Sequence, residues 1–110
     1  MFACSVVNYA RESSKEPGVV RHIAWQLSDA ATSAAANYHE AKAAYSRKEF
    51  AVKNGIVLKE LREADLWLRI VISCRIGSSE PAVALQAESN QLVAIFTASM
   101  RKLKPIASNF

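Results

Sequence analysis

The sequence has few residues that interrupt regular secondary structure, with only three Gly and three Pro in 110 residues. A β-sandwich needs seven or more short strands joined by turns rich in these residues, so the composition argues against that fold. Three or four long helices need only a few breaks. We therefore predict an all-α protein that forms a single domain over residues 1–110.

Cysteine and long apolar runs are also scarce. Cys4 and Cys74 form no CxxC pair and build no disulfide framework, so a reducing cytoplasm is the expected location. The longest uncharged stretches, such as residues 89–100, are shorter than the roughly 18 residues that a membrane span requires. Residues 1–7 lack the basic flank of a secretory signal. The sequence thus predicts a cytoplasmic protein that does not contact membranes.

The charge balance is mildly basic. Fourteen Lys and Arg against ten Asp and Glu give a formal net charge of +4, and the isoelectric point is near 9.3. Such a charge permits a nucleic acid or another anionic partner but does not require one.

Three breaks divide the chain into four predicted helices. The breaks lie near residues 14–18, 44–46 and 77–80, and the helices cover about residues 2–13, 19–44, 46–76 and the segment from Pro81 to Pro105. Residues 106–110 are expected to be a frayed tail. Because the connections are short, successive helices should be antiparallel neighbours, which predicts an up-down-up-down four-helix bundle.

The third helix carries the clearest signals. Ser46 and Glu49 form a capping box at its start, and Gly77 is expected to supply the left-handed residue that closes it. Gly55 within it is tolerable if another backbone passes close. Two adjoining apolar stripes follow its length, the first at Phe50, Val57, Leu61, Ala64, Leu68 and Val71, and the second at Trp67, Ile70 and Cys74.

The apolar surface exceeds what one bundle of this size can bury. Helix 1 spans roughly 20 Å against roughly 45 Å for helix 3, so it cannot cover its neighbours over their full length. A small monomer rarely exposes apolar patches of several hundred Å², and we therefore expect an oligomer. An upstream amphipathic extension of helix 1 is expected to stabilise the fold for the same reason.

Several motifs occur in a characteristic order. An Asn-Tyr-x-Glu-Ala element at residues 37–41 follows Gln26-Leu27-Ser28-Asp29, and a Gly-Ile-Val-Leu-Lys-Glu-Leu element occupies residues 55–61. Residues 46–50, Trp67-Leu68 and Ala94-Ile95-Phe96 fit the same pattern. Over about residues 19–103 the chain resembles the four-helix bundle proteins first noticed as products of intervening sequences in bacterial large-subunit ribosomal RNA genes.

The resemblance implies a four-helix fold and a homopentameric ring. One relative in that family, the accessory protein of diversity-generating retroelements, is a basic pentamer that binds nucleic acid and a reverse transcriptase. DNA or RNA, a reverse transcriptase and further copies of this chain are therefore the implied partners. Family members usually carry more residues before the first helix than this sequence does.

The sequence offers little for catalysis or metal binding. Di-iron bundles use Glu-x-x-His pairs, but Val19 and Ala36 stand three residues before the two histidines, His22 and His39. Glu60 and Glu63 have no nucleophile or Gly-rich loop nearby in the sequence and are expected on a solvated face or in a salt bridge between subunits. We therefore expect no enzyme activity, no cofactor and no metal, with two buried thiols and two surface imidazoles. A small metal-binding or enzymatic bundle that uses its interior is the alternative.

Basic residues form the remaining signal. In an up-down-up-down bundle the start of helix 3 and the end of helix 4 lie at the same end, so one end should be basic and is the candidate nucleic-acid interface. The candidate residues are Lys42, Arg47, Lys48, Lys53, Arg101, Lys102 and Lys104. The same corner carries family-motif residues, Asn37, Tyr38 and Glu40, which we expect to form a structural polar network with Arg47. Trp25 and Trp67 are expected in the core or an interface, although an exposed indole could also stack on bases.

Overall fold

The computed structural model describes residues 1–103 and contains four α-helices. They are α1 (Phe2–Ser13), α2 (Val19–Lys42), α3 (Arg47–Ser73) and α4 (Ser79–Leu103). No strand occurs among these residues, which confirms the all-α prediction. Lys104 and the expected tail at residues 106–110 lie outside the described residues.

The helices form a bundle with one helix at each corner. Each helix packs against the next along the chain, and α1 also packs against α4, whereas α1 and α3, like α2 and α4, are diagonal to each other. The bundle measures 50 × 24 × 20 Å. This is the arrangement expected when short connections join antiparallel neighbours.

The core is apolar and draws on every helix. Leu27 from α2, Leu68 from α3 and Val6 from α1 are fully buried. Ala30, Ala31 and Ala34 are also buried in the middle of α2, where their small side chains let neighbouring helices approach closely. Because buried aliphatic side chains each contribute about 1.5–3 kcal/mol, this core is the main source of stability.

The start of α3 is capped as the sequence predicts. The Ser46 hydroxyl accepts a hydrogen bond from the Glu49 backbone N–H at 3.0 Å. The Glu49 carboxylate in turn accepts from the Tyr45 N–H at 3.2 Å, one residue earlier than the usual capping box. These two bonds fix the backbone of the connection between α2 and α3.

The end of α3 differs from the prediction. The helix stops at Ser73 rather than near residue 76, and Arg75 is the residue that turns left-handed, with φ 55°. The Ile76 N–H donates to the Val71 carbonyl and the Arg75 N–H donates to the Ile72 carbonyl, which together form a Schellman motif. Gly77 is also left-handed, but it lies beyond the motif.

Gly77 serves instead the contact between α1 and the α3–α4 connection. A Cβ at this position would lie 3.0 Å from the Tyr9 hydroxyl. That hydroxyl donates to the Ser78 carbonyl at 3.4 Å, and burial raises the pKa of Tyr9. A side chain at residue 77 would therefore disturb the packing that holds the end of α1.

The corner occupied by α1 is filled over only part of its length. With 12 residues α1 rises about 18 Å, whereas α3 with 27 residues rises about 40 Å. A groove of about 700 Å³ lies where α1 is missing, and its walls are mainly apolar. Phe50, Leu92 and Phe96 line this groove and are only half-buried. The structure thus agrees with the expected surplus of apolar surface.

Two local details of α3 correct the sequence interpretation. Asn54 belongs to neither predicted apolar stripe, yet its side chain is buried. Phe50, which belongs to the first stripe, is only half-buried. Gly55 does not face a neighbouring backbone, because the nearest atom to an added Cβ would be the terminal methyl carbon of Met100, at 3.7 Å. Asn54 bonds the side chain of Ser99, and Gly55 lies beside the side chain of Met100, both on α4. The pattern of a single helix does not reveal these contacts.

The Schellman motif generates the first testable prediction. The left-handed conformation costs an L-residue with a side chain about 1 kcal/mol or more, whereas Gly adopts it without this cost. Arg75→Gly should therefore raise the free energy of unfolding by about 0.5–1 kcal/mol, measured by urea denaturation at fixed protein concentration. Arg75→Ala keeps the strain and is the matched control, so an equal gain in both variants would contradict the explanation.

Candidate functional site

Helix α4 returns along α3 in the opposite direction. Three hydrogen bonds show this, from Arg47 to Lys102, from Asn54 to Ser99 and from Ser89 to Asp65. Residue numbers rise along α3 while those of the bonded partners on α4 fall. The first of these bonds runs from Arg47 Nη2 to the Lys102 carbonyl at 3.2 Å. The start of α3 and the end of α4 therefore lie at the same end of the bundle.

This end, which we call the basic pole, holds most of the predicted interface residues. It comprises Lys42, Arg47, Lys48, Lys53, Arg101 and Lys102, with Glu40 and Glu49 as the acidic residues among them. The rest of residues 1–103 contains seven basic and eight acidic residues. The positive charge of the described chain is thus concentrated at the basic pole rather than spread over the surface.

The cations of the basic pole are not equally available. Lys53 forms an ion pair with Glu40 at 3.2 Å, and the Lys42 ammonium lies 5.1 Å from the centre of the Tyr38 ring. Lys48, Arg101 and Lys102 are exposed, and no carboxylate within residues 1–103 pairs with them. Within the part of the chain that the structure describes, these three side chains are the cations of the basic pole that have neither an ion pair, nor a hydrogen bond, nor a cation–π contact.

The expected polar network at the corner does not form. Asn37 donates to the Ser33 carbonyl within α2, and the Tyr38 ring meets Phe96 edge-on at 5.6 Å. Glu40 pairs with Lys53, while Arg47 turns away from α2 to reach the end of α4. Tyr38 therefore links α2 to α4, Glu40 links α2 to α3 and Arg47 links α3 to α4 in three separate contacts, while Asn37 bonds within its own helix. The Arg47 side chain bonds one of the carbonyls that a helix leaves unpaired at its C-terminus.

Besides the Arg47 bond, side chains at two positions of α3, Asn54 and Asp65, form hydrogen bonds with α4. The Asn54 side-chain amide donates to the Ser99 hydroxyl at 2.9 Å, at the wall of the groove, and the buried Oδ1 atom of Asn54 has no hydrogen-bond partner within residues 1–103. Further along, the Asp65 carboxylate accepts from the Ser89 hydroxyl at 2.6 Å and from the Gln86 amide at 3.1 Å. Sequence spacing shows Asp65 only as a surface partner of Arg69, which it also contacts at 2.7 Å.

Asp65 is ionised through these contacts. Burial raises its pKa, but hydrogen bonds from Ser89, Gln86 and Arg69, together with the guanidinium charge, outweigh that effect and leave the pKa below its usual value. Ser89 itself is fully buried. Ser89 and Gln86 lie on α4, so their bonds to the charged Asp65 fix the position of α4 along α3. This keeps the end of α4 at the basic pole.

The remaining titratable residues do not converge. No group of three or more His, Cys, Asp or Glu within residues 1–103 is placed to hold a metal ion. His22 and His39 are exposed as expected, but Cys4 and Cys74 are exposed as well, which corrects the expectation of buried thiols. Cys74 caps the end of α3, and Cys4 follows the buried residues Phe2 and Ala3 on the outer side of α1.

The two tryptophans occupy different environments. Trp67 is half-buried against the core, as expected, and its indole N–H has no hydrogen-bond partner. Trp25 is 58% exposed on α2, so it does not belong to the core of the bundle. No helix in the described part of the chain has the length and apolar character required to cross a bilayer.

Comparison with known proteins supports the fold. The sequence matches no family model and no curated protein. Among solved structures, the chain is similar to a Bacteroides thetaiotaomicron protein of unknown function from the S23 ribosomal protein family, determined at 1.70 Å resolution. The two share 28% sequence identity with a TM-score of 0.79, over 90% of this chain and 91% of that chain.

The Asp65 contacts predict how stability depends on pH. A group whose folded pKa is lowered stabilises the fold above its usual pKa, near pH 4, and that contribution is lost as the pH falls through the folded value. Asp65→Asn should lower the free energy of unfolding by about 1–3 kcal/mol at pH 7 and by less at pH 3. Urea denaturation between pH 3 and pH 7 measures this, with the exposed Asp29→Asn as control. An Asp65→Asn effect independent of pH would contradict the assignment.

Proposed function

We propose that this protein is a non-enzymatic, oligomeric four-helix bundle that binds nucleic acid through its basic pole and serves as an accessory or scaffold factor. We also propose that it belongs to the intervening-sequence protein family that its motifs resemble. The similarity to a structure from the S23 ribosomal protein family, across nine tenths of both chains, supports membership in a family of this fold. A reverse transcriptase as protein partner and a cytoplasmic location are parts of this proposal that rest on the resemblance and on the cysteine content.

The observation that carries the proposal is the placement of charge. Among residues 1–103, Lys48, Arg101 and Lys102 have no carboxylate partner and lie at one end of a bundle whose other described residues are close to neutral in total charge. Phosphate groups are the common anions that such a clustered positive surface attracts, and the contact does not depend on base sequence. One protomer offers few contacts, but several protomers around an axis would join their poles into a continuous positive surface.

The bundle interior favours a binding role over catalysis. Asn54 and Ser89 are the buried polar residues of the described chain, and the other buried side chains are apolar or the Tyr9 ring. Such an interior supplies no carboxylate, imidazole or thiolate ligands for a metal. We therefore retain the non-enzymatic interpretation, and elemental analysis of the purified protein tests it, because stoichiometric zinc or iron would favour the interior site instead.

Exposed apolar surface supports self-assembly. Ile95 and Tyr38, at 60% and 43% exposure, both line the groove left by the short α1. Val52 and Leu66 on α3 are also more than half exposed. Exposed apolar side chains gathered around a groove are typical of an interface, and in a homo-oligomer the same surfaces recur around a symmetry axis. The resemblance implies five subunits, a number that helix patterns do not determine.

Light scattering tests the assembly. At micromolar concentration the particle should have about five times the protomer mass of 12.1 kDa. Ile95→Glu places a charge on the groove wall and should shift the protein toward smaller species, whereas Glu88→Gln in the same wall should not. A wild-type mass of 12.1 kDa under dilute native conditions would contradict the oligomer.

Nucleic-acid binding is tested by charge reversal. Arg101→Glu with Lys102→Glu should weaken binding to all sequences alike and flatten the salt dependence, which is about 0.9 log unit per duplex phosphate contact for each tenfold rise in salt. Lys59→Glu with Arg62→Glu changes the net charge equally but lies in the middle of α3, so it should have a smaller effect. Fluorescence anisotropy with labelled oligonucleotides measures both, and no binding by the wild type at low salt would refute the nucleic-acid part of the proposal.

A further inference from the structure

Tyr45 stands out in the connection between α2 and α3. Its side chain is 98% exposed, more than any other large apolar residue of the described chain, and no aromatic or cationic partner contacts its ring. The ring therefore contributes nothing to the packing of residues 1–103. An exposed tyrosine alone needs no explanation, but its surroundings here are unusual.

The backbone that carries this ring is held in place. The Tyr45 N–H donates to the Glu49 carboxylate at 3.2 Å, and Ser46, the next residue, caps α3 through its bond to the Glu49 N–H. The preceding turn is closed by the Ala44 N–H on the Ala41 carbonyl at 3.1 Å. Tyr45 is thus presented from an ordered turn, so that little backbone freedom is lost when a flat ligand covers the ring.

The cations of the basic pole flank the same turn. Arg47 and Lys48 follow Tyr45 by two and three residues, and the Arg47 guanidinium contacts the carbonyl of Lys102. The end of α4, with Arg101 and Lys102, therefore lies beside the turn. An exposed aromatic ring near cationic side chains is the combination by which proteins hold single-stranded nucleic acid, with bases stacked on the ring and phosphates on the cations.

From this placement we infer that the basic pole binds single-stranded nucleic acid, with an unpaired base stacked on the Tyr45 ring and neighbouring phosphates on Lys48, Arg101 and Lys102. The inference rests on the proposed function and specifies its ligand. Bases within a duplex are already stacked on each other and do not offer a face to the ring. If phosphates alone were recognised, the duplex would bind at least as well, since it carries the higher charge density.

Trp25 is a weaker candidate for stacking. It precedes Lys42 by 17 residues on α2, which places it about 26 Å from that residue along the helix axis. The exposed indole is thus far from the cations of the basic pole. This makes Trp25 a matched control, because it is a second exposed aromatic residue on the same protein.

The experiment compares a labelled 20-nucleotide oligothymidine with a 20-base-pair duplex by fluorescence anisotropy, at several salt concentrations. Tyr45→Ala should weaken binding of the single strand about tenfold, in the range reported for loss of one base–aromatic stack, and leave the duplex unchanged. Tyr45→Phe keeps the ring and should bind like the wild type, as should Trp25→Ala. The salt slope should stay the same in Tyr45→Ala, because stacking releases no counterions, whereas the Arg101 and Lys102 reversal flattens it.

The outcomes separate the inference from the proposed function. If both ligands bind and Tyr45→Ala leaves both affinities unchanged, the inference is overturned and the basic-pole proposal stays intact. Absence of binding to either ligand by the wild type would overturn both. A smaller particle mass for Tyr45→Ala in light scattering would place the ring in a subunit contact and also overturn the inference. Circular dichroism should show unchanged helix content in every variant, since both rings are exposed.

Discussion

The antiparallel seam between α3 and α4 is the constraint on which the candidate site depends. Asn54 meets Ser99 near one end, and Asp65 meets Ser89 and Gln86 further along, so the register of the two helices is fixed at two levels. Apolar packing alone tolerates sliding by a helical turn, whereas a partly buried carboxylate that has lost its hydrogen-bond donors is costly. Through this register the end of α4 arrives beside the start of α3, and the cations of both segments come together.

The short first helix has a consequence of a different kind. A four-helix bundle buries its core when every corner is filled, and here one corner is filled over less than half the length of α3. The residues that would face the missing part, including Phe50, Leu92 and Phe96, stay half-buried, and Ile95 beside them is largely exposed. The same feature that weakens the isolated protomer leaves an apolar surface suited to assembly.

The polar motif residues at the end of α2 and the start of α3 connect helices to each other and do not gather in a common site. Glu40 ties the end of α2 to Lys53 on α3, and Arg47 ties the start of α3 to the last turn of α4. Each contact joins two helix ends, and together they hold the three long helices at the basic pole. Among the described residues of that pole, Tyr45, Lys48, Arg101 and Lys102 are thus exposed without an ion pair or a packing contact.

The sequence by itself determined the helices, their breaks and the cap at Ser46, because these follow from local periodicity and from the hydrogen-bonding needs of helix ends. It also determined that the cations near residues 47 and 101 would meet, since short connections allow one topology. Only the tertiary structure decided which cations are free, that Arg75 rather than Gly77 closes α3, and that Asp65 and Asn54 join α4. Those outcomes depend on the rotation and register of neighbouring helices, and an apolar stripe specifies a buried face but not the partner atoms across it.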